Sequence, residues 1–200
     1  DIRVFYGASE TSFVTLSDAK TPLNSVGKAY PDVDIDIRNI DTETGIGDIW
    51  VRSPYVFESY SLGTSKDTLW DGDWLTVGEM GRIDPDGNLF LSGRKSRMFT
   101  VADQNVFPED IERALMLHPN ISDAVVMPVS DTKRGFHPVA FYCGTSCNEV
   151  ELRTWCRTHM SSRAVPFVFH YLDMVDWPRL ASGKPNIRAF SAMLEHLDGP

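Results

Sequence analysis

The sequence has no run of about 18 apolar residues, so a transmembrane helix is not expected. It also lacks positive charge. Lys and Arg number 19 against 28 Asp and Glu, a formal net charge of −9. A generic nucleic-acid-binding surface, which needs excess positive charge facing phosphates, is therefore not expected. A polybasic membrane anchor is not expected, on the same ground. The first residues, DIRVFYGASE, contain no Met, no basic segment and no apolar core, so they do not read as a signal peptide. Cysteine is scarce: Cys143, Cys147 and Cys156 are an odd number, all in the last third. That pattern suits free thiols in a reducing, cytoplasmic setting. Cys143 and Cys147 have a metal-like spacing, but no second pair follows and the five His do not cluster, so a zinc site is not expected. There is no internal repeat and no low-complexity tract.

What is present fits a folded protein. Of the 200 residues, 42% are hydrophobic and 24% charged, outside the range of disordered chains. The length suits one medium domain or two small ones. The acidity is uneven: residues 1–92 carry 7 Lys/Arg against 16 Asp/Glu, while residues 93–200 carry 12 of each. The step beside Ser92-Gly93-Arg94-Lys95 marks a candidate domain boundary, giving domains 1–92 and 93–200.

Residues 26–92 show strand periods and turns and no long helical period. Asp34–Arg38 alternates polar and apolar, Asp41–Gly47 is a polar turn, and Asp48–Arg52 returns as a second strand, which together predict a hairpin. Trp74–Val77 is a short strand. Ile83 and Leu89–Leu91 flank Asp84-Pro85-Asp86-Gly87, whose residues suit a turn. This half reads as a small antiparallel sheet or barrel. In the second half, Pro108 suits the first turn of a helix. Glu109, Asp110 and Glu112 place negative charge at that helix's positive end, and Ile111, Ala114, Leu115 and Leu117 form its apolar stripe. Strands are expected at Asp123–Val129, Pro138–Tyr142 and Phe167–Met174. Helices are expected from Asn148, with Glu151 as capping partner, to about Met160, and over Ile187–Leu197. The order ββαββαβα predicts a compact α+β domain.

Three stretches carry residue types suited to chemistry. In Tyr6-Gly7-Ala8-Ser9-Glu10 a glycine beside an aromatic allows a sharp turn next to a flat face, and a hydroxyl and a carboxylate follow; that set can stack a base, donate to a phosphate and hold a divalent cation. In Trp74 to Arg94, Glu79 lies between Gly78 and Gly81, and a carboxylate there can accept hydrogen bonds from a ligand's hydroxyl pair. In Pro178 to Pro185, Gly183 precedes Lys184 in a tight turn that presents an ammonium able to meet a phosphate or carboxylate. The Gly-Lys pair is not a Walker loop: position 178 is Pro, 179 is Arg, and Pro185 stands where Ser or Thr is required. Singly, each stretch also reads as an ordinary loop or turn.

Together and in this order they resemble the C-terminal part of the adenylate-forming superfamily, and most of all its acyl-CoA synthetases. Tyr6-Gly7-Ala8-Ser9-Glu10 is similar to that family's Tyr-Gly-x-Thr-Glu motif. Trp74 to Gly81 is similar to Trp-Phe-x-Thr-Gly-Asp-x-Gly. Gly93-Arg94-Lys95 through Glu112 resembles the hinge and the start of the mobile domain, and Pro178 to Lys184 resembles Pro-Arg-x-x-x-Gly-Lys. The resemblance implies an α+β fold in which residues 1–92 are a small β-barrel-like remnant of the large domain and residues 93–200 a mobile C-terminal domain that rotates about a hinge at Ser96. It implies activation of a carboxylic acid, fatty or aryl, by ATP to an acyl-AMP, with transfer to CoA. Tyr6 with Gly7 would stack on adenine, Ser9 would meet the α-phosphate, and Glu10 would bind Mg2+. Glu79 and Arg94 would hold the ribose, and Lys184 would bridge carboxylate and α-phosphate.

The sequence departs from the pattern in places. Ser96 replaces an Asp or Lys, Ser9 replaces Thr, and Glu79 replaces Asp. Ala102-Asp103 stands where many members have Gly-Gly beside the tunnel for the CoA arm. No Ser/Thr/Gly-rich phosphate loop lies in these 200 residues, so the chain alone is expected to be inactive. Two alternatives stay open at the level of sequence: transfer to a carrier-protein thiol, and a non-catalytic relic of the same fold that binds a partner.

Overall fold

The computed structural model describes residues 2–197. The chain forms two compact units, one closing at Arg97 and the next opening at Met98.

The first unit is all strand among its described residues. β1 (Phe5–Ala8), β2 (Ser12–Leu16) and β3 (Lys28–Ala29) form an antiparallel sheet in that order. β4 (Asp34–Arg38), β5 (Gly47–Arg52), β6 (Leu69–Asp71), β7 (Trp74–Thr76), β8 (Glu79–Ile83) and β9 (Leu89–Arg94) form a second sheet, ordered β6-β7-β5-β8-β9 with β4 added on β5. The expected hairpin is β4–β5, with Ile35 opposite Val51 and Ile37 opposite Ile49. Val14, Val33, Ile49, Val51 and Leu89 form the core of this unit. Of the sheet or barrel expected, the described strands form open antiparallel sheets that do not close on themselves. The charge step at Ser92 falls inside β9, whose pairing with β8 holds Gly93 opposite Met80 and Arg94 opposite Glu79. The division between compact units therefore falls later, between Arg97 and Met98.

The second unit runs β10 (Phe99–Val101), β11 (Gln104–Val106), α1 (Pro108–Met116), β12 (Ile121–Asp131), β13 (Gly135–Gly144), α2 (Glu149–His159), β14 (Val168–Tyr171) and α3 (Ile187–Leu197), the order read from the sequence. Its sheet is ordered β11-β10-β13-β12, with β14 parallel to β13. Successive strand residues face opposite sides, and both sides are covered. Ala124, Val126, Ala140 and Tyr142 meet Ile111 and Leu115 of α1 and Leu152 and Cys156 of α2. Val125, Met127, Val139 and Phe141 meet Phe190 and Leu194 of α3 and Trp177. This double burial explains why the two long strands read as nearly continuous apolar runs rather than alternating ones. Full burial of a side chain such as Phe190 stabilises by about 1.5–3 kcal/mol.

Pro108 opens α1, with Glu109 and Asp110 in its first turn. Leu117 is the exception in the predicted stripe: it caps the helix and is 64% exposed. Asn148 caps α2 by accepting from the Val150 N–H at 2.8 Å. Glu151 is the carboxylate nearest the buried His118, its Oε1 3.5 Å from Nε2.

Candidate functional site

The first cluster is built on the β1–β2 hairpin. Its turn closes through the Thr11 N–H donating to the Ala8 carbonyl (3.2 Å), and the Ala8 N–H donating to Thr11 Oγ1 (3.0 Å). Gly7 lies at a register shift facing Phe13, and a Cβ there would sit 1.9 Å from the Ser12 carbonyl oxygen. Only glycine lets the two backbones approach so closely. The turn sets Ser9 in solvent and Glu10 half-buried. The Glu10 carbonyl accepts from the Phe57 N–H at 2.8 Å, and its carboxylate Oε1 accepts from the Tyr60 hydroxyl at 2.6 Å.

The second cluster is on β8 and β9. Glu79 and Arg94 are direct cross-strand partners, and Arg94 Nε donates to Glu79 Oε1 at 3.0 Å. Tyr6, on β1, packs against the unit's core. Burial raises its hydroxyl pKa, Glu79 raises it further, and Arg94 opposes them, so the ring remains a neutral phenol. Three of the residues singled out in the sequence, Tyr6, Glu79 and Arg94, are thereby electrostatic neighbours. A half-buried aromatic face beside a carboxylate already oriented by a guanidinium can stack a flat heterocycle and accept from hydroxyls. Just beyond, the Lys95 N–H donates to the Gly78 carbonyl, and Lys95 Nζ donates to both oxygens of Asp48 at 2.9 Å. The Asp48 side chain is only 9% exposed and also accepts from Asn39 Nδ2 at 2.8 Å. Ser96 follows, exposed in a turn.

Lys184 belongs to the second unit. Its loop is closed by the Leu180 N–H donating to the Lys184 carbonyl and the Gly183 N–H donating to the Leu180 carbonyl. Arg179 braces it, with Nη1 donating to the Gly183 carbonyl at 2.9 Å and Nη2 paired with Asp123 on β12 at 2.8 Å. Arg179 thus spends its charge on holding the loop, while Lys184 is exposed and makes no ion pair among the described residues.

Ala102 and Asp103 form the two-residue turn between β10 and β11, with φ of +46° and +66°. Both central residues at positive φ is the pattern that Asn-Gly or Gly-Gly adopts without strain.

Sequence reasoning missed Tyr60, Asp48 and Asp123. Tyr60 and Asp48 meet their partners across 50 and 47 residues, separations that no local period reports. A faint signal existed for Asp48: a charge beside the apolar Ile49-Trp50-Val51 run, on a strand buried over most of its length.

Mg2+ fits this donor set in one way. Among the described residues no group of three or more His, Cys, Asp or Glu could hold a metal. Glu10 offers a single hard carboxylate, and Mg2+ commonly takes one or two carboxylates and completes its shell with phosphate oxygens and water.

Residues 110–184 match the AMP-binding enzyme C-terminal domain model. The uncharacterized acyl–CoA ligase YhfT of Bacillus subtilis is 37% identical over 187 residues, covering 90% of this chain and 37% of that protein. The 2-succinylbenzoate–CoA ligase of Bacillus licheniformis is 33% identical over 189 residues, covering 90% of this chain and 39% of that protein. Among solved structures, the o-succinylbenzoate–CoA synthetase MenE of Bacillus subtilis, in complex with ATP and magnesium ion, superposes with a TM-score of 0.80 at 26% identity, over 92% of this chain and 40% of that one. The chain spans less than two fifths of the length of these two curated relatives.

Proposed function

The chain belongs with the adenylate-forming acyl–CoA ligases and carries their AMP-binding C-terminal domain, and on that premise we propose that it is part of an ATP-dependent acid–thiol ligase. In the first half-reaction a carboxylate oxygen attacks the α-phosphorus of ATP, the bond to the bridging oxygen breaks, and pyrophosphate leaves, giving acyl-AMP. In the second, a CoA thiol, losing its proton, attacks the acyl carbon and AMP leaves.

The unit ending at Arg97 serves as the end of the nucleotide-binding domain and the unit from Met98 as the mobile domain, with the hinge at Ser96 beside the division. Tyr6 stacks on adenine, with Gly7 giving the backbone clearance. Ser9 donates to the α-phosphate, and Glu79, oriented by Arg94, accepts from the ribose hydroxyls. Glu10 holds Mg2+, whose charge when bound offsets that of the phosphates. Lys184 brings an exposed, unpaired ammonium to the carboxylate and α-phosphate, where negative charge accumulates in the transition state. The free thiols suit a reducing, cytoplasmic setting, and no described helix is long and apolar enough to cross a membrane.

The observation that carries this reading is the meeting of Tyr6, Glu79 and Arg94 on separate strands of one unit. The test is pyrophosphate release from ATP, Mg2+ and a panel of fatty and aryl acids. The 200 residues alone are expected to be silent, since no phosphate loop lies within them, and robust turnover by them refutes the proposal. In the full-length polypeptide, Lys184→Ala is expected to slow adenylation about 10²–10³-fold, the usual cost of removing one preorganised charge-stabilising group. An unchanged rate removes Lys184 from its role.

A further inference from the structure

The segment from Phe57 to Thr68 was not among the motif residues, yet it grips Glu10 at two points. The Phe57 N–H holds the Glu10 carbonyl, and the Tyr60 hydroxyl holds its carboxylate at 2.6 Å. Tyr60 also lies 2.8 Å from Thr68 Oγ1. An ionised carboxylate only accepts, so the single Tyr60 proton points to Glu10, and Thr68 must then be the donor to the Tyr60 oxygen. This fixes a directed chain, Thr68 to Tyr60 to Glu10, in which each bond polarises the next. The Tyr60 ring is itself set edge-on against Phe57, with centroids 4.8 Å apart, and Phe57 stacks on Trp70. The chain engages only Oε1; no described residue hydrogen-bonds Oε2.

Resting on the reading of Glu10 as the metal carboxylate, we propose that Tyr60 is its positioning residue. The Tyr60 hydroxyl pins Oε1 and fixes the side-chain torsion, leaving Oε2 to meet a hard divalent cation. Thr68 acts through Tyr60 by orienting its proton. A carboxylate at the tip of a turn otherwise spreads over several rotamers and loses that freedom on each binding event; prior pinning removes this cost. Hydrogen-bond partners behind a metal ligand typically change metal affinity about 10–100-fold.

The test uses the full-length polypeptide and reads Mn2+ binding by electron paramagnetic resonance in the presence of ATP, together with the Mg2+ dependence of adenylate formation and the melting temperature. Tyr60→Phe is expected to weaken Mn2+ about ten-fold and to raise half-saturating Mg2+ by the same factor, with adenylation recovering at high Mg2+. Thr68→Val, of equal size but without the donor, is expected to weaken Mn2+ less, and Thr68→Ser to restore it. Glu10→Gln separates the two layers of the argument. If Glu10→Gln weakens Mn2+ and Tyr60→Phe and Thr68→Val do not, Tyr60 has no positioning role and the reading of Glu10 stands. If Glu10→Gln also leaves Mn2+ binding intact, the reading of Glu10 fails and the proposal fails with it. A melting temperature lowered by Tyr60→Phe without a change in Mn2+ affinity shows a structural role only and overturns the proposal.

Discussion

Replacing Ala102 by glycine is expected to stabilise the second unit. Ala102 and Asp103 occupy a two-residue turn with φ of +46° and +66°. An L-residue in the left-handed region pays roughly 1–2 kcal/mol for crowding between its Cβ and the backbone, and Asp tolerates that region better than Ala. Glycine removes the penalty but loses about 0.5–1 kcal/mol more conformational entropy on folding. Taking the middle of each range, about 1.5 less about 0.75, the net gain for Ala102→Gly is about 0.5–1 kcal/mol, and for Asp103→Gly close to none. The turn is fixed from both sides: Val101 pairs with Gln104 and Gly135, and the Ala102 N–H donates to the Arg134 carbonyl at 2.9 Å. It therefore has no cheap way to relax.

Two units melt together poorly as one transition, so the assay is native-state hydrogen exchange at Val125 and Phe141, opposite each other at the centre of β12–β13. Ala102→Gly should slow exchange there about 2–5-fold, the equivalent of 0.5–1 kcal/mol. Gly135→Ala is the opposite control. Gly135 has φ +80°, and a Cβ there would lie 3.3 Å from the Thr100 carbonyl oxygen, so exchange should speed up by the equivalent of about 1–2 kcal/mol. Faster exchange in Ala102→Gly would refute the reasoning, because only the entropy cost of glycine would then be felt.

Burial pushes the Cys156 thiol up to about 11 from its ordinary 9.0, with Arg153 opposing. The raised folded pKa favours the neutral thiol, so its stabilising effect is full below about pH 9 and fades as pH climbs to about 11; at pH 8 iodoacetamide should label Cys156 only after urea unfolding, read by peptide mass mapping. Lys95→Met leaves the buried Asp48 carboxylate with Asn39 alone, which should cost the first unit about 1–3 kcal/mol, read by hydrogen exchange at Ile49 and Val51. Adding Asp48→Asn, which removes the orphaned charge, should return part of it.

Much of the second unit was legible because local signals agreed with tertiary demands. Ile187–Leu197 formed its helix as read, since Phe190 and Leu194, one turn apart, both found the sheet. Leu117 was misplaced because α1 ends one residue before it, where the chain turns to His118. In the first unit the alternation of Asp34–Arg38 told the strand and its partner, but not whether the sheet closes, because closure depends on register between strands far apart in sequence. The three-stranded sheet was not read at all: β3 is two residues long, and β1 was taken for its motif. The site shows the same split. Tyr6, Glu10, Glu79, Arg94 and Lys184 were visible as residue types in order, whereas Tyr60 and Asp48, which hold Glu10 and Lys95, act across the fold.

That split bears on the departure at Ser96. By resemblance this position is a hinge residue, and a hinge needs a fixed side. On its N-terminal flank the chain is tied twice at Lys95, through its N–H to Gly78 and its ammonium to Asp48, and Arg94 is in register on β9 with Glu79. Ser96 is exposed and has no recorded hydrogen bond or ion-pair partner among the described residues. The backbone is anchored up to Lys95, and beyond Ser96 the Arg97 N–H still donates to the Arg94 carbonyl at 3.0 Å. On the proposed reading, the rotation would be taken up after Lys95, since an earlier pivot would break the buried Asp48 pair at a cost of about 1–3 kcal/mol. On that reading, the Lys95–Asp48 pair would fix the N-terminal side of the hinge, with Ser96, a short exposed side chain, directly after it.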